Sequence, residues 1–378
     1  MAESLFEKLK DYSKSGIYPF CMPGHKRNFS AAGEFNPYEL DITEVEGFDD
    51  LQKCEGILGD IQKELSRIYG AENVFLSVNG SSAGNLAAVA ALEDGGKILA
   101  ASNCHRSVFN GARINKRELL LIDPAKMPQG LKGGIPAEAA EEYLKKDPDI
   151  RAIIVTSPTY EGFVSDIPAL AEAARRYGAL LIVDEAHGAH LPFCGGGYFP
   201  EAALYQGADI VIESLHKTLP SLNQTSLVFV PHDSALAARV KESLNMVMTT
   251  SPSYILMASA QAACVWADQN KESFVRYEEL LKNLRGSLSG LKKIRLVDKS
   301  VCGNYNISQL DPGKLVLALD PEKTSLSGKE LFYMLLERYK LQLEKYEDGF
   351  VLAMTSVMDT KEGFERLKQA LFEIDARI

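Results

Sequence analysis

The sequence predicts an α/β fold with a mostly parallel central sheet flanked by helices, followed by a smaller C-terminal α/β unit. Its 378 residues are enough for two lobes, and its 46% hydrophobic and 24% charged fractions are typical of a globular protein. Short apolar runs typical of buried strands alternate with segments of helical periodicity. These runs lie at residues 74–78, 97–101, 118–122, 152–156, 180–184 and 209–213.

Beyond these strands the alternation changes. The run at 226–230 follows the preceding strand too closely for a crossover helix, so we expect an antiparallel neighbour. Around Pro252 a long helical stretch begins, roughly at 254–290, and leads into a smaller set of elements. This set comprises strands at 314–319 and 350–353 and a terminal helix at 361–375.

We therefore divide the chain into three parts. Residues 1–50 are expected to form an N-terminal helix and an extended arm, because apolar side chains near the start have helical spacing and turn formers and acids follow. Residues 51–252 are expected to form a large domain, and residues 253–378 a small C-terminal domain.

Composition excludes several classes of protein. The net charge of −10 argues against a nucleic-acid or anionic-membrane partner, since both require basic clusters. The six cysteines are scattered without a CxxC pair, which indicates neither a disulfide framework nor a structural zinc site. No run approaches the roughly 20 apolar residues of a membrane span, and no secretion signal precedes the first helix. We expect a cytoplasmic protein.

The first candidate site is the segment VNGSSAGN at 78–85, between a strand and a helix. A helix N-terminus beyond a strand end offers unpaired N–H groups to a phosphate. Gly80 and Gly84 allow close backbone approach, and Ser81 and Ser82 add hydroxyl donors. The alternative is an ordinary capped turn. No P-loop lysine is present, which argues against a Walker-type nucleotide site.

The second candidate is Asp184, which ends a buried strand in the segment LIVDEAHGAH. A carboxylate there is costly unless it has a cationic partner. Three interpretations stay open on this segment alone: a protonated pyridine nitrogen paired with Asp184, a structural aspartate that caps the next turn, or a metal site. The metal site would add Glu185, His187 and His190.

Lys217 and His105 follow two further strands. Desolvation at the mouth of a buried strand lowers the pKa of a lysine and makes its amine nucleophilic. Ser214 and His216 flank Lys217 and can donate to a phosphate. The flat imidazole of His105 can lie against a planar ring. The alternatives are a solvated loop lysine and an ordinary surface or core histidine.

The order of these features is that of fold-type-I enzymes that use pyridoxal 5′-phosphate (PLP): a phosphate turn, a histidine, a strand-end aspartate and then a lysine. Over residues 5–375 the chain resembles the bacterial ornithine/lysine/arginine decarboxylases of this group. The segments that carry the resemblance are PFCMPGHKRN (19–28), DITEVEGFDDL (41–51), VNGSSAGN (78–85), SNCHRSV (102–108), TSPTYEG (156–162), VDEAHGAH (183–190), SLHKTLPSLNQTS (214–226) and TTSPSY (249–254).

The resemblance implies the PLP-dependent transferase fold of type I, and decarboxylation of arginine, lysine or ornithine to an amine in polyamine metabolism. It implies that Lys217 carries PLP as a Schiff base, that His105 stacks on the pyridine ring, and that Asp184 pairs with the ring nitrogen. His187 or Ala186 would lie beside the cofactor, and no metal is implied.

The resemblance also implies how the phosphate is held and how subunits associate. The implied phosphate ligands are Ser81, Ser82, Ser214 and His216. A homodimer with shared active sites is implied, in which Thr250 or Ser251 contacts the neighbouring subunit's phosphate.

Three departures from the family pattern accompany these matches. Relatives carry a further C-terminal domain, which we expect to be missing here. Cys21 stands where a histidine is common, and Gln52 replaces a histidine that often follows Asp-Asp-Leu. Two alternatives therefore remain. One is another PLP-dependent activity, a lyase or an aminotransferase, for which Arg106, Arg113 and the arginines of the small domain are candidate carboxylate clamps. The other is a catalytically weak PLP-fold protein with a binding or regulatory role.

Overall fold

The computed structural model describes residues 15–20, 24, 42, 44, 48–93 and 95–378. The helix predicted near the N-terminus, most of the predicted arm and Cys21 lie outside these ranges. Within them, no helix combines the length and the apolar character needed to cross a membrane. The architecture is α/β with a mostly parallel central sheet, which confirms the predicted fold class.

The strands divide between one large sheet and three smaller ones. In chain order they are β1 (Tyr18–Phe20), β2 (Asn73–Ser77), β3 (Lys97–Ala101), β4 (Glu118–Ile122), β5 (Ile150–Thr156), β6 (Phe163–Val164), β7 (Leu180–Asp184), β8 (Ile210–Ser214), β9 (Ser226–Val230), β10 (Ile294–Leu296), β11 (Gln309–Leu310), β12 (Lys314–Leu319), β13 (Leu341–Leu343), β14 (Lys345–Glu347) and β15 (Phe350–Met354).

The large sheet has seven strands in the order β2-β9-β8-β7-β5-β3-β4. Its neighbours from β8 to β4 pair in parallel, and β9 is antiparallel to both β2 and β8. The predicted antiparallel strand is therefore confirmed. Strands β8 and β9 are buried at every residue, as expected for a sheet covered on both faces. The parallel arrangement brings the carboxyl ends of β5, β7 and β8 to one edge.

Helices connect and cover these strands. In chain order they are α1 (Ile57–Tyr69), α2 (Gly80–Ala90), α3 (Arg106–Ile114), α4 (Ala137–Lys146), α5 (Ile167–Arg176), α6 (Leu215–Thr218), α7 (Ser234–Val247), α8 (Tyr254–Gln269), α9 (Lys271–Leu288), α10 (Gly328–Tyr339) and α11 (Lys361–Arg377). Short 3₁₀ turns occur at Pro128–Gly130, Leu191–Phe193, Ala203–Tyr205 and Lys299–Val301.

Side-chain caps explain where several helices begin. The Asp166 side chain accepts the N–H of Ala169 at the start of α5. At the start of α10, Ser327 and Glu330 form a reciprocal capping box. The Asp49 carboxylate accepts backbone N–H groups ahead of and within the first turn of α1. These bonds satisfy donors that helix geometry leaves unpaired.

The helical stretch predicted at roughly 254–290 consists of two helices, α8 and α9, separated at Asn270. Asn270 has φ −122° and ψ 47°, and its side-chain amide donates to the Trp266 carbonyl at 2.8 Å. Asparagine side chains compete in this way with the backbone bonds of a helix. The apolar periodicity continues through the break, which is why the sequence alone does not reveal it.

The second half of the chain builds a four-stranded antiparallel sheet, β10-β12-β15-β14. Strands β12 and β15 are fully buried. Strand β12 has the predicted bounds, 314–319. Strand β15 extends one residue beyond the predicted 350–353, to Met354. Strand β14 carries the side chains that face the site on the large sheet, as described below.

Candidate active site

A cavity of about 920 Å³ lies at the carboxyl ends of the central parallel strands. Residues that end or follow three strands, Thr156, Asp184 and Ser214, contribute to its wall. It brings together ten of the residues singled out from sequence. They are Ser81, Ser82, His105, Arg106, Asp184, Ala186, His187, Ser214, His216 and Lys217.

The serine-rich turn forms one end of the cavity. Helix α2 begins at Gly80, whose φ of +74° favours glycine. Ser214 at the end of β8 donates a hydrogen bond to Ser81 Oγ at 2.8 Å. Gly84 lies against the sheet so closely that a Cβ there would stand 2.8 Å from a methyl group of Ile212. The N–H of Gly80 itself donates to the Gln224 carbonyl at 2.8 Å. Helix α2 therefore begins at the cavity wall with Ser81 and Ser82 lining it, a suitable cradle for a phosphate.

Asp184 is buried, with 2% of its surface exposed. The Asn85 amide donates to its Oδ2 at 2.8 Å, and the Ala186 N–H donates to its Oδ1 at 3.2 Å. Neither donor carries a positive charge, and the structure gives Asp184 no ion pair within the described residues. A buried carboxylate in this state suits a cationic heterocycle.

Lys217 projects from the short helix α6, which follows β8 directly. Burial lowers the pKa of its amine, although the negative charges of Asp184 and Glu344 oppose the shift. Its Nζ lies 3.1 Å from His187 Nε2. Burial, assisted by the charge of Lys217, lowers the pKa of His187 well below its usual value, so His187 is neutral and its Nε2 can accept from the amine.

The cavity wall also contains polar atoms that lack partners. His187 Nδ1 and Thr156 Oγ1 are buried and make no hydrogen bond within the part of the chain that the structure describes. Buried polar atoms are nearly always paired. Together with the phosphate cradle, Asp184 and the amine of Lys217, these atoms fit a polar, ring-bearing ligand such as PLP.

Two further histidines take different positions. His105 is exposed to solvent in the cavity and caps α3, where its Nδ1 accepts the N–H of Ser107 at 3.3 Å. Partial burial of the ring lowers its pKa. His216 lies with Nδ1 3.2 Å from the Thr225 carbonyl, and burial lowers its pKa as well. Because a carbonyl only accepts, Nδ1 of His216 carries a proton.

The alternative of a metal site at 184–190 finds no support. Glu185 accepts the Ala203 N–H, and His190 lies 3.5 Å from Asp311, away from Asp184. Across the described ranges, no group of three His, Cys, Asp or Glu side chains is arranged to hold a metal ion.

Several expected residues lie elsewhere. Thr250 and Ser251 are exposed and do not line this chain's cavity, although Thr249 N–H donates to Asn79 Oδ1, beside the phosphate turn, at 3.4 Å. Their contact with a second subunit therefore stays a prediction. Gln52 lies in the turn before α1, where its carbonyl accepts from Asn245 at 3.1 Å, and it does not line the cavity. Arg113 is exposed at the far end of α3.

A further group of residues, for which the sequence analysis predicted no role, completes the wall. Tyr160 packs on His187 with ring centroids 4.6 Å apart, and its hydroxyl donates to Glu344 at 2.6 Å. Lys345 on β14 pairs with Glu161 at 2.7 Å. Tyr160 and Glu161 belong to the quoted segment TSPTYEG, but strand β14 has no motif that connects it to the site.

Comparison with known proteins adds relatives over nearly the whole chain. A family model described as "Orn/Lys/Arg decarboxylase, major domain" matches residues 3–320. The uncharacterized protein YaaO of Bacillus subtilis is 31% identical, with 93% of this chain and 73% of that protein covered. An arginine decarboxylase of Bacillus subtilis is 29% identical, with 98% of this chain and 76% of that protein covered.

Solved structures share the architecture. Lysine decarboxylase A from Pseudomonas aeruginosa superposes with a TM-score of 0.78 at 19% identity, covering 98% of this chain and 59% of that one. A serine palmitoyltransferase from Sphingomonas wittichii superposes with a TM-score of 0.70 at 15% identity, covering 99% and 96%. The chain thus spans about three fifths of the lysine decarboxylase. At these identities the likeness establishes the fold.

Proposed function

Because the chain belongs to the Orn/Lys/Arg decarboxylase family and has the fold of type-I PLP enzymes, we propose that it decarboxylates a basic amino acid, arginine, lysine or ornithine, with PLP bound at Lys217. The observation that supports this most directly is the convergence of Lys217 and Asp184 on one cavity of about 920 Å³. The two residues come from different strand ends, and the phosphate cradle lines the same cavity.

The chain's own residues divide the work of binding. When bound, PLP supplies the electron sink that receives the electron pair left by departing CO₂. Asp184 would hold the ring nitrogen in its protonated state, and His105 would pack against the ring. The phosphate group would be held at the start of α2 by Ser81, Ser82 and Ser214. His216 would donate to it through Nε2 in the protonated form, which the phosphate charge favours.

Lys217 and His187 would act where the substrate meets the cofactor. The lowered pKa of Lys217 supplies an uncharged amine for attachment, and His187 Nε2 at 3.1 Å holds that amine in place. Once the substrate amine has taken its position, Lys217 is free to return a proton to the substrate α-carbon. Ala186 adds an apolar contact beside Asp184.

The outer wall supports a cationic substrate. Glu161 and Glu347 both line the cavity, and Lys345 lies 2.7 Å from the first and 3.7 Å from the second. Carboxylates at this wall can pair with a guanidinium or ammonium side chain. We place arginine first, since arginine decarboxylases at 27–29% identity align with 98% of this chain.

Product identification tests the activity. The full chain, loaded with PLP, is incubated separately with arginine, lysine and ornithine, and the products are separated and identified by mass spectrometry. We expect one equivalent of CO₂ and the corresponding amine, and no product from Lys217→Ala. Because Arg106 also lines the cavity, keto-acid products are measured in parallel. A keto acid in place of the amine would contradict the proposal and favour an aminotransferase.

We also propose a homodimer with shared active sites, a large domain at 51–252 and a small domain at 253–378, and a cytoplasmic location. The five described cysteines are free, which fits a reducing compartment. Mixing inactive Lys217→Ala with Thr250→Glu subunits tests the shared site, because a mixed dimer would contain one intact site. Activity that does not recover on mixing, with dimers present by light scattering, would reject the shared arrangement.

A further inference from the structure

We propose that Asn85 and Ser107 are positioning residues that hold His105 as its Nε2–H tautomer, through a hydrogen-bond chain that begins at Asp184. The inference rests on the proposed function, because that function places Asp184 and His105 on the cofactor ring. It assigns roles to two buried residues outside the set named from sequence. It also determines whether His105 presents a hydrogen-bond donor or an acceptor to the cavity.

The chain starts at the Asn85 side chain, which is buried in α2. Its Nδ2 donates to Asp184 Oδ2 at 2.8 Å and to Ser107 Oγ at 3.0 Å. An ionised carboxylate only accepts, so the amide group facing Asp184 is the NH₂. Its two hydrogens are then both used, one by the carboxylate and one by the hydroxyl.

Ser107 continues the hydrogen-bond chain to the imidazole of His105 with the same donor-to-acceptor direction. Its Oγ accepts from Asn85, and its single hydroxyl proton is directed to His105 Nδ1 at 2.7 Å. The backbone N–H of Ser107 points to the same nitrogen at 3.3 Å. Two donors converge on Nδ1, so this nitrogen presents its lone pair. A neutral ring must therefore carry its proton on Nε2.

The charges around His105 agree with a neutral ring. Burial and the positive charges of Lys217 and Arg106 lower its pKa, against the charge of Asp184. A neutral imidazole with Nδ1 held by donors gives up its remaining proton only by becoming an anion. His105 therefore acts as a fixed hydrogen-bond donor at the ring face, and the proton returned to the substrate comes from Lys217.

Nitrogen NMR of the full chain, labelled with ¹⁵N-histidine, tests the tautomer directly. Spectra are recorded with and without added PLP, and His105→Gln identifies the His105 signals. We expect Nε2–H for His105 in the wild-type chain. Ser107→Ala removes the hydroxyl donor, so the Nδ1–H form should appear and the measured pKa of His105 should rise. Ser107→Thr keeps a hydroxyl and should restore the wild-type pattern.

Kinetics supply a second readout. One hydrogen bond is worth about 1 kcal/mol, so Ser107→Ala and Asn85→Ala should each lower kcat for decarboxylation about fivefold to tenfold, with a smaller change in KM. Ser102→Ala is the matched control, since that hydroxyl donates to Asp123 and lies outside the chain from Asp184. It should change neither the spectrum nor kcat.

Two outcomes overturn the inference: an Nδ1–H tautomer in the wild-type chain, or a tautomer and pKa unchanged in both Ser107→Ala and Asn85→Ala. If Ser107→Ala fails to fold by circular dichroism, Asn85→Ala and the wild-type spectrum still decide. The spectra without PLP do not depend on turnover. A chain that forms no amine yet shows the expected tautomer therefore rejects the proposed function alone.

Discussion

At the scale of single residues, the site depends on two opposed groups, an amine with a lowered pKa and a buried carboxylate without a protein cation. Lys217 is largely enclosed, and Asp184 is 2% exposed. Their surroundings are built from amides, hydroxyls and neutral imidazoles. Because these surroundings carry no compensating charge among the residues that the structure describes, a ligand can supply the cation that pairs with Asp184. The charge of Asp184 in turn affects the pKa of Lys217.

The lowered pKa of Lys217 predicts selective reactivity. Below the pKa of an ordinary lysine, Lys217 should hold more of the uncharged amine than the exposed Lys63 does. Reductive methylation of the cofactor-free chain at a series of pH values, followed by peptide mass spectrometry, measures both residues. We expect the midpoint for Lys217 at the lower pH. Equal midpoints for the two lysines would contradict the prediction.

Asp184→Asn should weaken cofactor binding. The substitution keeps the shape of the side chain but removes the charge that we propose pairs with the ring nitrogen. A hydrogen bond to a charged group contributes about 1.5–3 kcal/mol, so PLP affinity should fall about 10- to 100-fold. Equilibrium dialysis against PLP gives the dissociation constant. Asp166→Asn, which alters only the cap of α5, should bind PLP like the wild type.

At the scale of elements, the packing of α2 on the sheet sets the position of the phosphate cradle. Gly84 has Ile212 and Val228 methyl groups 2.8 and 2.9 Å from where a Cβ would stand. Any side chain at this position moves the helix away from β8 and β9. Because the same helix supplies Ser81 and Ser82, stability and ligand binding are coupled here.

Gly84→Ala should therefore destabilise the chain by about 1–3 kcal/mol, the range of overpacking in a tight core, and should weaken PLP binding. The matched control is Gly286→Ala in α9, where a Cβ meets no atom within 4 Å. That change should stabilise the chain by about 0.5–1 kcal/mol, since alanine is the better helix former. Urea unfolding of both variants checks the difference; equal stabilities would show that α2 can shift without cost.

The elements were the part that the sequence predicted well, because buried strands leave short continuous apolar runs and helices leave a periodic pattern. The strands predicted at 97–101, 118–122, 180–184 and 226–230 have the observed bounds. Contacts between distant segments leave no such signal. Asn85 meets Asp184 across 99 positions, and Lys345 reaches the cavity from a strand with no motif, so neither role was predictable from local pattern.

At the scale of the whole molecule, a buried ion pair connects the small sheet to the active-site loop. Lys314, at the start of β12, donates to Asp311 at 2.7 Å and to the His187 carbonyl at 3.2 Å. Burial raises the pKa of Asp311, but the charge of Lys314 outweighs it and holds that pKa well below the usual value. The hydrogen bond from Lys314 to the His187 carbonyl thereby holds the loop that carries His187 against the start of β12.

Lys314→Met should destabilise the chain by about 3–5 kcal/mol at neutral pH, because it leaves a buried carboxylate unpaired. Without Lys314, burial prevails and the pKa of Asp311 rises. In the wild type this carboxylate contributes stability above the ordinary aspartate pKa and loses it as the pH falls. The difference between variant and wild type should therefore shrink with decreasing pH in urea unfolding.

Lys323→Met provides the control for this experiment. Lys323 forms an exposed pair of the same spacing with Asp320. Its loss should change stability by less than about 1 kcal/mol at every pH. A loss for Lys314→Met no larger than this control would show that the buried pair is dispensable.

The cavity wall supplied by Lys345, Glu347 and Phe350 has a consequence for biosynthesis. During translation Lys217 is synthesised more than a hundred residues before these wall residues. A nascent chain can thus assemble most of the central sheet while its pocket still lies open to water. Full enclosure of the cavity must await synthesis of β14, so the enclosure of a bound ligand follows the assembly of the central sheet in each new molecule.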